Sequence, residues 1–172
     1  MDAISTESLT KHYHVGFWRP RPYVALDALS LSVRQGEVFG FLGPNGAGKT
    51  TTLKLLMQLV YPTSGRAEIL GRPVGDVGVR RRIGYLPENA PLYHDLSVAS
   101  YLDFVAEIKG VGRTARRGRV ADVMERCFIG DMQNRLIGKL SKGYRQRVGL
   151  AQALLGDPEV LVRRMVVFRA RT

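Results

Sequence analysis

The chain has 172 residues, of which 45% are apolar and 24% charged, and it carries a formal net charge of +11. This composition predicts one globular domain and excludes a disordered or fibrous chain. The single cysteine, Cys127, excludes an internal disulfide and favours a reducing compartment. No apolar run reaches the ~18 residues of a membrane span, and the N-terminus does not resemble a signal peptide.

The first half of the chain is predicted to consist mainly of strands. Residues 4–10 and 29–33 have strand patterns, and the second alternates apolar and polar side chains. Residues 16–22 contain two prolines and are expected to form an irregular loop. The near-continuous apolar run 37–42 predicts a strand buried on both faces. A helix is expected over residues 49–60, followed by short strands near residue 69 and at 82–86.

The second half of the chain has helical periodicity. Ser97 is the expected N-cap of a helix that stops at Gly110, and Cys127 is expected to be buried in a second helix. A third helix begins at Ser141, and residues 160–162 return to a strand pattern. The residues predicted to face the core are Val98, Tyr101, Leu102, Val105, Ile108, Val120, Val123, Met124, Val148, Ala151, Leu154 and Leu155.

A glycine-rich phosphate-binding pattern follows the apolar run 37–42. The segment GPNGAGKT at 43–50 matches G-x-x-x-x-G-K-[ST] in full, between a predicted strand and a predicted helix. Glycines allow backbone N–H groups to approach phosphate oxygens, and the helix N-terminus adds positive potential. Lys49 is the expected ligand of the β- and γ-phosphates, and Thr50 of Mg²⁺. The candidate nucleotide-binding residues here are Gly43, Pro44, Asn45, Gly46, Ala47, Gly48, Lys49, Thr50 and Thr51.

Further motifs lie on both sides of the glycine-rich segment. LSKGYRQR at 140–147 resembles the signature sequence of the ABC ATPases, and Tyr13 resembles the aromatic residue of that family that stacks on adenine. IGYLPE at 83–88 looks like the Q-loop segment, with Glu88 at the glutamine position, and GDPEVL at 156–161 looks like the approach to the Walker B strand. Read without the resemblance, 140–147 is a capped amphipathic helix, and Tyr13 a strand-end residue packing on its own sheet.

The resemblance implies a fold and its subdivision. The fold is an α/β P-loop NTPase core with an antiparallel β subdomain and an inserted helical subdomain. It would assign 1–89 to the β subdomain and P-loop core, 90–145 to the helical subdomain and 146–162 to the return to the core. Residues 163–172 form an atypical basic tail, and the C-terminal part of the core is expected to be missing.

The resemblance also implies ATP and Mg²⁺ as ligands. Tyr13 would stack on adenine, while Thr50 and Glu88 would bind the metal. Glu88, at the Q-loop position, would also be the candidate catalytic acid. In this family two subunits pair head to tail, so Ser141 and Gly143 would contact the γ-phosphate held by a partner P-loop. Glu88 in a Y-L-P-E context points to exporters of the ABC-2 type.

Two departures from the family pattern bear on activity. Lys142 and Tyr144 replace Gly and Gln in the signature, which leaves Ser141 and Gly143 in place. After residues 160–162 the family has Asp-Glu, whereas this chain continues with Arg-Arg-Met-Val at 163–166. Because these side chains can neither hold Mg²⁺ nor polarise water, we expect impaired ATP hydrolysis.

The resulting expectation is an ATP-binding subunit of an ABC transporter. It would lie in the cytoplasm against the inner face of the cell membrane, with a permease as partner and a second copy or related ATPase subunit across the nucleotide. The alternatives are a non-catalytic nucleotide-binding module that regulates a partner, and an ABC-type protein acting on ribosomes or nucleic acid. Nucleic acid is not an expected partner, because the basic clusters lack interleaved aromatic residues.

Overall fold

The computed structural model describes residues 1–16, 18 and 21–163, together with the backbone of 168–170. The chain forms two compact units, one of Met1–Arg80 with the C-terminal residues and one of Arg81–Arg163. The division of the chain into subdomains at 89, 145 and 162 stays a prediction. In chain order the elements are β1 (Asp2–Val15), β2 (Arg21–Arg34), β3 (Val38–Phe39), α1 (Lys49–Leu56), β4 (Ser64–Ile69), β5 (Arg72–Pro73), α2 (Val77–Arg80), β6 (Ile83–Leu86), α3 (Val98–Ile108), α4 (Arg113–Arg126), α5 (Lys142–Leu154), β7 (Val160–Arg163) and β8 (Phe168–Ala170), with 3₁₀ turns at Gly130–Met132 and Ile137–Lys139.

An antiparallel sheet with the order β2-β1-β4-β5 dominates the first unit. This confirms the predicted antiparallel sheet, although both of its first strands are longer than predicted. The expected loop 16–22 is wrong at its end, because β2 begins at Arg21 and contains Pro22. A proline lacks the N–H that a central strand needs, but β2 is the edge strand, where that loss is tolerated.

The strand predicted to be buried on both faces is much shorter and more exposed than expected. β3 covers only Val38 and Phe39, and it pairs with β8 alone among the described residues. Val38 is 59% exposed and Leu42 is 95% exposed. An apolar run is buried on both faces only where other elements flank it, and the described residues do not supply them here.

The helix after the glycine-rich loop starts where predicted and ends one turn early. α1 begins at Lys49 and ends at Leu56 rather than near residue 60. Gln58 has a left-handed backbone with φ of 52°, and the N–H of Leu59 donates to the carbonyl of Lys54 at 2.8 Å. This αL turn ends the helix before the predicted end at residue 60.

Helices α3, α4 and α5 pack around one apolar core in the second unit. The Ser97 side chain accepts a hydrogen bond from the N–H of Ser100 at 3.2 Å, and Gly110 has φ of 78°, so both predicted ends of α3 are confirmed. Burial raises the pKa of the Cys127 thiol to about 11 at the end of α4. Most of the predicted core is confirmed; Ile108 is the exception, at 68% exposed.

Strands β6 and β7 pair in parallel beside α5 in the same unit. A Cβ atom at Gly84 would lie 2.7 Å from the carbonyl oxygen of Ala153, so only glycine allows this approach of helix to strand. A Cβ at Gly149 in α5 would lie 2.9 Å from a methyl group of Leu86. The two glycines thereby set how closely α5 packs on β6. Within the described part of the chain, no helix has the length and apolarity to cross a bilayer.

Candidate nucleotide-binding site

The glycine-rich loop lies between β3 and α1, and its backbone requires glycine at its last position. Gly48 is the N-cap of α1 with φ of 81°. A Cβ there would come within 2.9 Å of the Ala25 carbonyl oxygen and 3.0 Å of the Leu26 side chain. Gly43 and Gly46 also have positive φ values of 150° and 90°. A Cβ at Gly46 would meet no atom within 4 Å, so the loop is open on that side.

Lys49 lies against the loop that precedes it. Its Nζ donates to the carbonyl oxygens of Gly43 at 2.7 Å and Pro44 at 2.6 Å. Both are charge-assisted hydrogen bonds to neutral oxygens. A phosphate oxygen carries a full or partial negative charge and is the stronger acceptor, so the ammonium group is positioned to exchange these carbonyls for phosphate.

The N-terminus of α1 supplies unused backbone donors at the same place. The first hydrogen bond of this helix runs from the N–H of Thr52 to the carbonyl of Gly48 at 2.8 Å. The N–H groups of Lys49, Thr50 and Thr51 therefore have no intrahelical acceptor. No acidic residue lies in the first turn, and Thr50 is exposed. These features fit a polyphosphate, whose charge complements the positive end of a helix.

Tyr13 lies on the face of β1 and β2 that contacts the loop. The register pairs Lys11 with Leu26 and Tyr13 with Tyr23, and paired residues project on the same face. Lys11 Nζ lies 5.1 Å from the centroid of the Tyr13 ring, which also puts these two side chains on one face. Because the Leu26 side chain borders Gly48, this face is the one on which the loop packs.

The second motif forms the N-terminus of α5 in the other unit. The Ser141 side chain is the N-cap and accepts a hydrogen bond from the N–H of Tyr144 at 3.4 Å. Ser141, Lys142 and Gly143 are exposed. Tyr144 packs under Arg147, whose Cζ lies 5.4 Å from the ring centroid. The two residues that depart from the signature therefore leave Ser141 and Gly143 accessible to a ligand.

A family profile described as ABC transporter matches residues 26–163 of the chain. The chain belongs to the ABC transporter family. It is 40% identical over 162 residues to an uncharacterized ABC transporter ATP-binding protein of Synechocystis, covering 93% of this chain and 46% of that protein. It is 39% identical over 141 residues to the Nod factor export ATP-binding protein I of Burkholderia orbicola, covering 81% of this chain and 46% of that protein.

The solved structures of ABC cassettes share this fold. The dimeric post-hydrolysis structure of the cassette MJ0796, bound to ADP and Pi, superposes with a TM-score of 0.78 at 26% identity. The match covers 93% of this chain and 72% of that one. The expected α/β ABC ATPase fold is thereby confirmed, while the chain spans about half the length of the curated relatives it matches.

The expected metal ligands of an ABC cassette lie in different units of this structure. Thr50 belongs to the first unit, and Glu88, an exposed residue after β6, belongs to the second. In the residues that the structure describes, no three His, Cys, Asp or Glu side chains form a metal site of their own. Arg164 and Met165, at the Asp-Glu positions of the family, lie outside the described residues.

Sequence reasoning missed two basic residues that support the site motifs. Lys11 covers the Tyr13 ring, and the i, i+2 spacing of the two residues in a strand is a signal that could have revealed this. Arg119 of α4 donates to the carbonyl oxygens of Leu154 at 3.2 Å and Leu155 at 3.1 Å, which satisfies the end of α5. No local pattern marks Arg119, because its acceptors lie more than 30 residues away.

Proposed function

We propose that this chain binds Mg-ATP as the ATP-binding part of an ABC transporter. The observation that carries the proposal is the position of Lys49, whose Nζ is held by two carbonyls of the glycine-rich loop at the first residue of α1. There the lysine, the glycine-rich backbone and the free N–H groups of the helix can all contact one polyphosphate. The residues proposed to bind it are Gly43, Pro44, Asn45, Gly46, Ala47, Gly48, Lys49, Thr50 and Thr51.

The remaining contacts with ATP and Mg²⁺ would come from the other motifs. Tyr13 would stack on adenine, since it lies on the face of the β-sheet that borders Gly48. Thr50 and Glu88 would bind Mg²⁺, which neutralises phosphate charge when it is bound. Ser141 and Gly143 would contact the γ-phosphate bound by a second subunit, through the exposed N-terminus of α5. The dimeric structure of MJ0796 with ADP and Pi supports this pairing.

The transport partner would be a membrane permease, with this chain on the cytoplasmic side of the membrane. The relative from Burkholderia is named for the export of Nod factor, which supports an exporter, and the Y-L-P-E context of Glu88 is the ground for proposing the ABC-2 type. Nucleotide-driven association and separation of two such subunits would drive the permease between its states.

Hydrolysis by this chain is proposed to be impaired. Arg164 and Met165 stand where the family has Asp and Glu, and neither side chain can accept a proton from water or hold Mg²⁺. The same substitution favours the second candidate function, a nucleotide-binding module that regulates a partner subunit without turnover. In both cases ATP acts as a ligand that stabilises an assembly.

The test is calorimetric titration of the purified chain with Mg-ATP, using two lysine variants. Lys49→Ala removes the proposed phosphate ligand, and we expect ATP to bind about 10- to 100-fold more weakly, the value of one or two charge-assisted hydrogen bonds. Lys54→Ala is the matched control, because Lys54 is exposed in the last turn of the same helix. Equal affinity of the two variants would sink the proposal.

A turnover assay on the same samples separates the two candidate functions from an active ATPase. Binding without release of phosphate, abolished in Lys49→Ala, is the expected result. Turnover that depends on Lys49 would mean that another acid activates water, and Glu88 is the first to replace by glutamine. Capture of a co-expressed permease by this chain, strengthened by ATP, would favour transport over regulation of another ATPase subunit.

A further inference from the structure

A cavity of about 440 Å³ lies between α3 and α4 in the second unit, and only charged side chains line it. Two of them, Asp103 and Glu107, come from the exposed side of α3. The other three, Arg113, Arg116 and Arg117, come from the first turns of α4. No motif of the ABC transporter family identified in this sequence includes these residues. None of them belongs to the proposed ATP site.

The charges around this cavity do not cancel. Arg116 Nη1 lies 2.9 Å from Glu107 Oε2 and 3.7 Å from Asp103 Oδ2, so Arg116 serves both carboxylates. Arg113 and Arg117 form no ion pair with any residue that the structure describes. Two guanidinium groups thus remain at the cavity with their hydrogen-bond donors available.

Two further features leave hydrogen-bond donors without acceptors beside the cavity, where an anion could bind. The Nε atom of Arg116 is buried and has no hydrogen-bond acceptor in the described structure, and such groups are rare in folded proteins. α4 also begins here without a side-chain cap, after Gly112, and its first turn contains no acidic residue. Arginines at the positive end of a helix are unfavourable, and an anion bound there would offset both costs.

We propose that the arginine-lined cavity binds a phosphate group, with Arg113 and Arg117 as its main ligands. Guanidinium groups match phosphate oxygens in charge and geometry, and two of them on one helix turn can contact one phosphate. The phosphate could be carried by an anionic lipid headgroup or by a small soluble anion. Ile108, the last residue of α3, is apolar and 68% exposed, as a side chain that meets a membrane surface would be. An anionic lipid headgroup is therefore the first source to test.

The experiment compares two double variants that remove the same charge. Arg113→Gln with Arg117→Gln removes the proposed ligands without breaking an ion pair of the described structure. Arg81→Gln with Arg135→Gln is the control, because both arginines are exposed in the same unit and form no ion pair with the described residues. The probes are sedimentation with vesicles of phosphatidylglycerol or phosphatidylcholine, and calorimetric titration with inorganic phosphate.

The proposal expects Arg113→Gln/Arg117→Gln to bind at least about tenfold more weakly than the control, the equivalent of one charge-assisted hydrogen bond. A loss confined to phosphatidylglycerol vesicles identifies a lipid headgroup, and a loss seen with inorganic phosphate identifies a soluble anion. Equal losses in both double variants would mean that net charge alone attracts the anion, which overturns the proposal, as would no loss in either. Because both variants retain Lys49, phosphate binding at the glycine-rich loop contributes equally, and failure here leaves the proposed ATP site untouched.

Discussion

Arg82 and Glu159 form a bidentate ion pair. Arg82 Nη2 lies 2.6 Å from Glu159 Oε2, and Arg82 Nε donates a hydrogen bond to Glu159 Oε1. The backbones of the two residues are also hydrogen-bonded, because the N–H of Glu159 donates to the carbonyl of Arg82 at 2.9 Å. The two residues immediately precede β6 and β7, so the pair fixes the start of the parallel strands. The hydrogen bonds from Arg82 lower the pKa of the Glu159 carboxyl below its ordinary value of 4.5.

This ion pair predicts a pH-dependent effect of Glu159→Gln. A carboxyl with a lowered pKa stabilises the fold above its unfolded pKa, and that stability is lost as pH falls through the folded value. We therefore expect Glu159→Gln to lower the unfolding midpoint modestly at pH 7 and progressively less below pH ~4.5, the effect being small because both side chains are partly exposed. Urea unfolding from pH 7 to pH 3.5 measures it. Glu125→Gln, at an exposed residue without an ion pair in the described structure, should show no such trend; a parallel trend would count against the assignment.

The N-cap serines of α3 and α5 provide a matched pair for separating folding from nucleotide-driven association. Ser97 and Ser141 both accept a hydrogen bond from the N–H three residues later. Each alanine substitution should lower the free energy of unfolding by ~1 kcal/mol. Only Ser141→Ala should weaken dimerisation induced by Mg-ATP, which analytical ultracentrifugation measures. If Ser97→Ala weakens the dimer equally, the effect reflects stability rather than contact with ATP.

Tyr13 and Tyr23 test the proposed adenine contact, because they are cross-strand partners on one face. Stacking of a base on an aromatic ring contributes ~1–3 kcal/mol, so Tyr13→Ala should bind ATP about 10- to 100-fold more weakly. The same variant should bind tripolyphosphate normally, since that ligand has no base. Tyr23→Ala is expected to leave both affinities nearly unchanged. Equal loss for ATP and tripolyphosphate in Tyr13→Ala would instead indicate that Tyr13 packs the sheet on which the loop rests.

Alanine substitution is predicted to have opposite effects at a closely packed glycine in β6 and at an unpacked glycine in α4. Gly84→Ala places a methyl group 2.7 Å from a backbone carbonyl, so we expect a loss of ~1–3 kcal/mol in the free energy of unfolding. Gly118→Ala in α4 meets no atom within 4 Å and should gain up to ~1 kcal/mol from helix propensity. Thermal unfolding of both variants measures the two effects. A Gly84→Ala protein that is as stable as the unsubstituted protein would contradict the close packing of α5 on β6.

Local chemistry explains why most of the elements could be predicted from the sequence. The serine caps, the stop at Gly110 and the start of α1 at Lys49 depend on residues within one helical turn. The glycine-rich loop could be predicted for the same reason, because its function depends on eight consecutive residues. The errors concern features set by distant neighbours. Exposure of Leu42 depends on which elements flank β3, and Pro22 is tolerated only because β2 is an edge strand.

The site was less predictable than the fold, because several of its contacts cross long sequence separations. Nothing near Gly48 in the sequence indicates that Ala25 and Leu26 leave no room for a Cβ atom there. Nothing near α4 indicates that Arg119 binds the carbonyl groups at the end of α5. The arginine-lined cavity is similar. In the sequence, Arg113 to Arg119 resembles a solvated basic cluster, and only the approach of α3 separates the paired Arg116 from its unpaired neighbours.

Arg119 fixes the C-terminal end of α5 to the segment that follows it. Besides its two carbonyl acceptors, this guanidinium lies 2.9 Å from a carboxylate oxygen of Asp157, three residues before β7 begins. The other end of the helix carries Ser141 in the open, about 20 Å away for 13 residues. Ser141 therefore stands at one end of a helix whose other end is bound, through Arg119, to the segment that precedes β7.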